Sequence, residues 1–217
     1  MSKAPSEREL LPKATEGECE RERLLPKTDE EDNPNLFSID GVLYERYGNT
    51  IYLRLYPDAK KDSLYEIYEN TNWISMYAFG GCTNLKAISI PSSVTNISMN
   101  AFEGCSNLES VYITDIAAWC AIEFEDAQSS PFYSAEKLYI NGDLATDVII
   151  PDGVTGISNY AFQYCASLTS IIIPDSVTSI GVGAFSGCKR LESITIPDSV
   201  TSIGKNGFWG CSSLKDV

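Results

Sequence analysis

A 23-residue spacing of cysteines constrains the fold of this chain more than any other feature. Five cysteines follow this spacing in two runs: Cys82 and Cys105, then Cys165, Cys188 and Cys211. Four of them end the phrase Ala-Phe-x-x-Cys, and the last ends Gly-Phe-x-x-Cys. A fixed period of this length predicts a solenoid in which each copy of the repeat forms one coil.

Each copy carries the pattern of one coil. In the copy that starts at Leu191, Leu-x-x-Ile-x-Ile alternates apolar and polar residues, which predicts a short strand with one buried face. Pro197 ends this strand because proline cannot donate to the ladder of hydrogen bonds. Val-x-x-Ile predicts a second extended segment, after which we expect Gly181 and Gly204 to permit a tight change of direction. Ala-Phe-x-x-Cys predicts a helical or 3-10 turn with Phe and Cys inward, and the coils must stack because one alone cannot offset its conformational entropy.

The combined pattern Leu-x-x-Ile-x-Ile-Pro-x-x-Val-x-x-Ile-x-x-x-Ala-Phe-x-x-Cys resembles the BspA-like leucine-rich repeat, also called the treponemal type. The resemblance covers residues 65–217 closely and residues 36–64 more loosely. It implies a repeat solenoid, mostly β with short helical or 3-10 turns, in which 23-residue repeats form a curved right-handed coil with a strand-lined concave face. The family is typical of surface and secreted proteins of anaerobic bacteria and some mucosal protists, and its members are implicated in adhesion. The resemblance therefore implies a cell-surface or secreted protein without catalytic residues or cofactors.

One stretch of the chain departs from the period. Ile113 and Ile150 are 37 residues apart instead of 23, which indicates an elaborated coil at residues 114–148. Asp115 is expected to cap a helix over residues 116–120. Residues 138–140 predict a strand, Asn141-Gly142 a tight turn, and residues 148–150 the return strand, because Asn-Gly is a strong hairpin signal.

The N-terminal part of the chain lacks the repeat. Residues 34–64 alternate around turn residues, which predicts a β-hairpin unit that caps the first coil. Residues 1–33 hold 6 basic and 10 acidic side chains and no aromatic one, so we expect a disordered charged tail. Glu20 ahead of Leu24-Leu25 is similar to an acidic dileucine sorting signal, although a plain solvated tail is the simpler interpretation. We expect no signal peptide and no transmembrane segment, because no apolar run is long enough.

The composition excludes several functions. The chain has no histidine, so it cannot form a Ser-His-Asp or Cys-His catalytic site or a zinc site with imidazole ligands. Its formal net charge of −14 repels phosphate backbones, so nucleic acid is not an expected partner. The repeat favours a recognition or adhesion module. The alternatives are a structural spacer or fragment of a longer array and, remotely, an enzyme with a site in the insertion.

Two columns of repeated side chains allow a second interpretation each. The repeat cysteines predict a buried, reduced ladder, since free cysteine behaves as a small hydrophobe, although a metal or disulfide site remains the alternative. Asp152, Asp175 and Asp198 also occupy one column. We expect them to cap turns after proline, with a calcium site as the alternative.

The candidate partner-binding residues fall on two parts of the coil. Tyr112 and Ile172 occupy outward positions on the strand-lined face, where neighbouring copies carry small polar residues. Tyr160, Tyr164 and Trp209 stand at variable positions, and such aromatics are favoured in interfaces. The expected partner is a host extracellular-matrix protein, another cell-surface protein or a glycan.

The last predicted strand starts at Leu214 and begins a coil that the sequence does not complete. An apolar cross-section and an open strand edge favour pairing with another chain. We expect end-to-end self-association through residues 194–217, fraying of that segment, or dependence on a longer sequence.

Overall fold

The computed structural model describes residues 34–215. They form a β-solenoid of about seven turns with a spacing of about 23 residues, which confirms the predicted repeat solenoid. The predicted tail at residues 1–33, its dileucine motif and Cys19 lie outside the described residues, as do residues 216 and 217.

Residues 34–215 contain seventeen strands, one α-helix and one 3-10 helix. In chain order they are β1 (Leu36–Ile39), β2 (Val42–Tyr47), β3 (Thr50–Leu55), β4 (Leu64–Glu66), β5 (Trp73–Ile74), β6 (Ala87–Ser89), β7 (Asn96–Ile97), β8 (Ser110–Ile113), α1 (Ile116–Ala121), β9 (Glu123–Phe124), the 3-10 helix (Pro131–Tyr133), β10 (Lys137–Ile140), β11 (Asp143–Leu144), β12 (Asp147–Ile149), β13 (Gly156–Ile157), β14 (Ser170–Ile172), β15 (Ser179–Ile180), β16 (Ser193–Thr195) and β17 (Ser202–Ile203).

Two strands from each regular coil build two stacks of sheets. The first stack holds the sheets β11-β10-β8-β6-β4 and β12-β14-β16, and the second holds β1-β2-β3-β5-β7-β9 and β13-β15-β17. Neighbouring coils pair in parallel, and Ile171 lies opposite Ile194, one repeat later. Because successive coils place the same repeat position side by side, the inward isoleucines form continuous apolar columns.

The predicted hairpin unit at residues 34–64 contains the antiparallel strands β1, β2 and β3. β3 then pairs in parallel with β5 of the first coil, with Leu53 opposite Ile74. Tyr56 lies one repeat before Phe79 in the sequence, and the two ring centroids are 5.3 Å apart. The register of the repeat therefore extends back to Tyr56, which takes the position of the repeat phenylalanine.

The elaborated coil interrupts both stacks. The predicted helix is confirmed as α1, and the Asp115 carboxylate caps it by accepting hydrogen bonds from the Ala117 and Ala118 amides. No described strand joins β9 to β13; instead the Ser158 amide donates to the carbonyl of Cys120 in α1. Helix α1 thus lies beside β13, at the place where a strand would otherwise continue the second stack.

The predicted return strand at residues 148–150 was wrong. The strand that folds back across the Asn141-Gly142 turn is β11, which pairs antiparallel with β10. Asn141 and Gly142 both have positive φ, at 53° and 90°, as the tight two-residue turn requires. β12 instead begins the next regular coil and pairs in parallel with β14. β11 therefore ends the first sheet at the elaborated coil, because it occupies the edge that the next coil would need.

The turn segment Ala-Phe-x-x-Cys supplies the centre of the core. The Phe185 ring lies between those of Phe162 and Phe208, at centroid distances of 5.3 and 5.4 Å with nearly parallel planes. The segment closes through isolated turns, such as the bond of 3.2 Å from the Cys188 amide to the Phe185 carbonyl. No described residue of this segment belongs to a continuous helix, so the predicted turn is present only in its shortest form.

The repeat cysteines do more than fill space. The Cys188 thiol donates to the carbonyl of Phe162 in the preceding coil at 3.0 Å, and Cys105 makes the same contact with Phe79 at 3.0 Å. The predicted burial is confirmed for Cys82, Cys105, Cys165 and Cys188, while Cys211 in the last coil is half-buried. Cysteine suits this position because it combines a small volume with a weak donor for a buried carbonyl.

The expected role of Gly181 and Gly204 was wrong. Neither has a positive φ. A Cβ on Gly181 would lie 2.4 Å from the Asn159 amide nitrogen, and one on Gly204 would lie 2.4 Å from the Val182 nitrogen. These positions need glycine because neighbouring coils approach too closely for a side chain, while the left-handed turns fall elsewhere, as at Gly187 with φ 74°.

Candidate functional site

The outward side of the first stack presents a face lined by strands β4, β6, β8, β10, β11, β12, β14 and β16, called here the strand-lined face. Alternation along each strand directs one side chain into the core and the next to this face. In β8, Val111 is fully buried and Tyr112 points outward. The paired register places Ser89, Tyr112 and Tyr139 side by side on β6, β8 and β10.

Five outward apolar side chains on this face, from its two sheets, are called here the apolar patch. Its members are Tyr112, Tyr139, Leu144, Ile149 and Ile172. The two tyrosine rings stack with centroids 4.5 Å apart and planes within 10°. Ile149 is 69% exposed, Ile172 46% and Leu144 44%. Clustered exposed apolar residues are typical of interaction surfaces in general, because exposed apolar residues elsewhere are usually scattered singly.

The structure unites only part of the predicted set in this patch. Tyr112 and Ile172 were predicted, and they lie on the same face. Tyr139, Leu144 and Ile149 were missed. Ile149 lies one repeat before Ile172, so the repeat period could have found it. Leu144 could not be found this way, because only the antiparallel pairing of β11 with β10 places it opposite Tyr139.

A fixed carboxylate borders the patch. Asp147 precedes Val148 and Ile149 on β12, and its carboxylate accepts hydrogen bonds from Ser170 at 2.5 Å and from Thr146 at 3.0 Å. These hydrogen bonds, with Ser170 the largest contribution, lower the pKa of Asp147 below its ordinary value. The patch therefore has a charged rim beside its most exposed member.

The remaining predicted residues lie on the turn segments, apart from the strand-lined face. Tyr160 and Tyr164 both have φ of 60°, a left-handed conformation in which the other copies carry glycine or asparagine, except for Tyr77 at the position of Tyr160. Both are half-buried. The Tyr164 ring covers Gly187 of the next coil so closely that a Cβ there would lie 2.2 Å from its Cδ1. Trp209 is 65% exposed in the last described coil. The structure does not bring these three residues together with Tyr112 and Ile172.

A second aromatic cluster, which the sequence did not predict, lies on the second stack. Tyr52 and Trp73 stack at 5.8 Å, and the Arg54 guanidinium lies 4.6 Å from the Tyr52 ring centroid. Two of its polar groups have partners: Arg54 forms an ion pair with Glu45, and the Trp73 indole donates to the Ser98 hydroxyl at 2.8 Å. The Arg54 and Trp73 side chains are thus engaged within the protein, whereas the hydroxyl groups of Tyr112 and Tyr139 make no hydrogen bond within residues 34–215.

The described residues contain no group of three or more Cys, Asp or Glu side chains arranged to hold a metal ion. Asp152, Asp175 and Asp198, which occupy one position of the repeat, form no such group. Among residues 34–215, no helix is long and apolar enough to cross a bilayer. A cleft between Pro91, Val94 and Trp119 has a volume of about 10 Å³, room for about one water molecule.

Comparison with known proteins agrees with this architecture. A family model described as BspA type leucine rich repeat region matches six copies over residues 60–129 and 134–217. A leucine-rich repeat protein from Eubacterium ventriosum has a similar structure, with 26% identity, a TM-score of 0.57, and 85% of this chain and 52% of that chain covered. A leucine rich cell surface protein from Faecalibacterium prausnitzii gives 26% identity, a TM-score of 0.53, and 86% and 55% coverage.

A leucine-rich repeat protein from Bacteroides ovatus is 27% identical, with a TM-score of 0.52 and 83% of this chain and 52% of that chain covered. The chain thus spans about half the length of each of these solved structures. A search of curated proteins gave no significant match.

Proposed function

The chain belongs to the BspA-type leucine-rich repeat family, and on that premise we propose that it is a non-enzymatic recognition module that binds a partner protein through its strand-lined face. The apolar patch of Tyr112, Tyr139, Leu144, Ile149 and Ile172 carries this proposal. A patch on a rigid, doubly stacked scaffold needs little reorganisation on binding, which lowers the entropic cost of association.

The composition of the patch favours a protein surface over a glycan. Three of its five members are aliphatic, and burying an exposed isoleucine contributes roughly 1.5–3 kcal/mol. The two stacked tyrosines add rigid contact area with few rotatable bonds, as is common in interface hot spots. A glycan would instead call for polar side chains across most of the contact area, and Leu144, Ile149 and Ile172 offer none.

The proposed location is the cell surface or the extracellular space, where the module would take part in adhesion. The similar protein from Faecalibacterium prausnitzii is described as a cell surface protein, which supports this location. A structural spacer without its own ligand is the competing proposal, and an exposed apolar patch would give such a spacer a solubility cost without a use.

The test is a binding screen against an array of purified extracellular-matrix proteins and a glycan array, with the double variant Ile149→Glu/Ile172→Glu. Both positions are exposed, so the variant keeps the core and places two charges in the patch. The matched control is Met76→Glu/Met99→Glu, because these side chains are 39% and 40% exposed and follow strands of the second stack.

We expect the patch variant to weaken a protein hit by at least about tenfold, since two buried charges cost more than the apolar contacts they replace. The control should bind as the parent does. Equal binding by the parent and the patch variant, or hits confined to the glycan array, would contradict the proposal.

A further inference from the structure

Three outward residues at the edge of the strand-lined face form a slot. Glu66, Ser89 and Tyr112 lie side by side on β4, β6 and β8, since Glu66 pairs with Ser89 and Ser89 pairs with Tyr112. Neighbouring strands are about 4.8 Å apart, so Glu66 and Tyr112 stand about 9.6 Å apart at the backbone. Ser89 lies between them with a short side chain, and it forms the floor of the slot.

One wall of the slot is an aromatic ring face. Tyr112 stacks on Tyr139 through one face of its ring, at a centroid distance of 4.5 Å. The other face is directed toward Ser89, the neighbour on the opposite side of β8. No other ring or cation among residues 34–215 packs on Tyr112, and a serine side chain is too short to cover a phenol ring.

The opposite wall is a carboxylate without a counter-ion. Glu66 is exposed, and its carboxylate makes no hydrogen bond or ion pair within the part of the chain that the structure describes. The same holds for the hydroxyl groups of Ser89 and Tyr112. In this respect Glu66 differs from Glu45, which pairs with Arg54, and from Asp147, which accepts bonds from its neighbours. The slot therefore combines an open π face, a small polar floor and an uncompensated negative charge.

We propose that this slot binds an arginine side chain of the partner protein. The guanidinium would stack on the free face of Tyr112 within about 6 Å of the ring centroid, and its outer edge would donate to the Glu66 carboxylate across Ser89. Arginine suits the slot better than lysine because its planar cation stacks on a ring while its edge still donates hydrogen bonds. The formal net charge of −14 also attracts a basic partner at long range. This inference rests on the proposed function, since the slot adjoins the apolar patch through Tyr112.

The experiment is an NMR titration of the isotope-labelled full chain with two peptides, acetyl-Gly-Ser-Arg-Ser-Gly-amide and its citrulline counterpart. Citrulline has nearly the shape of arginine but no charge. We expect the arginine peptide to shift the Tyr112 ring and Ser89 amide signals, and the citrulline peptide to bind at least about fivefold more weakly. Raising the salt concentration should weaken the arginine peptide further.

Three variants distinguish binding in the slot from attraction by the overall negative charge of the protein. Glu66→Gln removes the proposed partner charge and should weaken the arginine peptide about fivefold. Tyr112→Leu should remove the stacking contribution. The matched control is Glu103→Gln, which removes the same charge at an exposed position on a turn segment. It should leave the titration unchanged.

The inference is overturned if the arginine peptide leaves the Tyr112 and Ser89 signals unmoved, if citrulline binds equally well, or if Glu103→Gln weakens binding as much as Glu66→Gln. Its failure is distinct from failure of the proposed function. If a partner protein fails to bind the Ile149→Glu/Ile172→Glu variant and still binds the Glu66→Gln variant, that result would support the recognition role and contradict the arginine slot.

Discussion

The stacking of the phenylalanine rings predicts which coils contribute most to the free energy of unfolding. Phe185 is fully buried, with a ring partner on each side, whereas Phe208 has one ring partner and is only half-buried. Replacing a buried phenylalanine by alanine costs about 3–5 kcal/mol. Because each aromatic pair adds about 0.5–1.5 kcal/mol, Phe185→Ala should fall at the upper end of that range. Phe208→Ala should cost less than Phe185→Ala, because the Phe208 ring is already partly exposed and stacks on one ring instead of two.

Native-state hydrogen exchange measures this difference coil by coil. The Phe162 amide donates to the Ala184 carbonyl and the Phe185 amide donates to the Gly207 carbonyl, each at 2.8–2.9 Å, so both amides report on separation of neighbouring coils. The control is Phe185→Leu, which keeps most of the volume and should cost less than about 1.5 kcal/mol. Equal losses for Phe185→Ala and Phe208→Ala, or a loss below about 2 kcal/mol for Phe185→Ala, would refute the argument from the stack.

Four further predictions follow from the packing of the coils. Cys165 and Cys188 are fully buried, so iodoacetamide followed by mass spectrometry should modify them only after unfolding; rapid labelling of native protein would show that the ladder is open. Burial raises the pKa of Cys165 to about 11, so its contribution to stability is complete below the unfolded thiol pKa of about 8.5 and is lost as the pH rises toward 11. Urea unfolding between pH 8 and 11 checks this, and a free energy of unfolding that rises over that window would contradict it. Gly181→Ala should destabilise the protein by about 1–3 kcal/mol, because the new methyl group would meet the Asn159 backbone; an unchanged thermal midpoint would show that the coils can separate at no cost. Ile203 is 49% exposed on β17, so we expect this chain to self-associate through residues 194–217 and Ile203→Lys to reduce that association in light scattering; a parent chain that stays monomeric at high concentration would exclude it.

The repeat period by itself determined the coil. Leu-x-x-Ile-x-Ile, the Phe column and the Cys column each predicted which side chain points inward, and Phe185 and Cys188 are fully buried. The capped helix at Asp115 was also predictable. These features depend on local alternation and on the constant length of the repeat, and both can be counted along the chain.

The elaborated coil was decided by the tertiary structure. In the regular coils Ile88 lies opposite Val111, one repeat later, but Val111 in turn lies opposite Leu138, which is further along the chain than one repeat. A fixed period therefore no longer identifies neighbours there. The sequence contained the Asn141-Gly142 turn but not the partner of β10, because a strand as short as β11 carries too little pattern to recognise.

The candidate site depends on that same coil. Tyr112 and Ile172 could be placed on the strand-lined face from the period alone. Only the pairing of β10 and β11 placed Tyr139 and Leu144 beside Tyr112 on that face. Likewise, Gly181 was visible in the sequence, but the reason for a glycine there was not, since the Asn159 backbone that a Cβ would meet is brought close only by the stacking of the coils. Contacts within one coil follow from the sequence because they are local, whereas contacts between an irregular coil and its neighbours follow from how the coils stack.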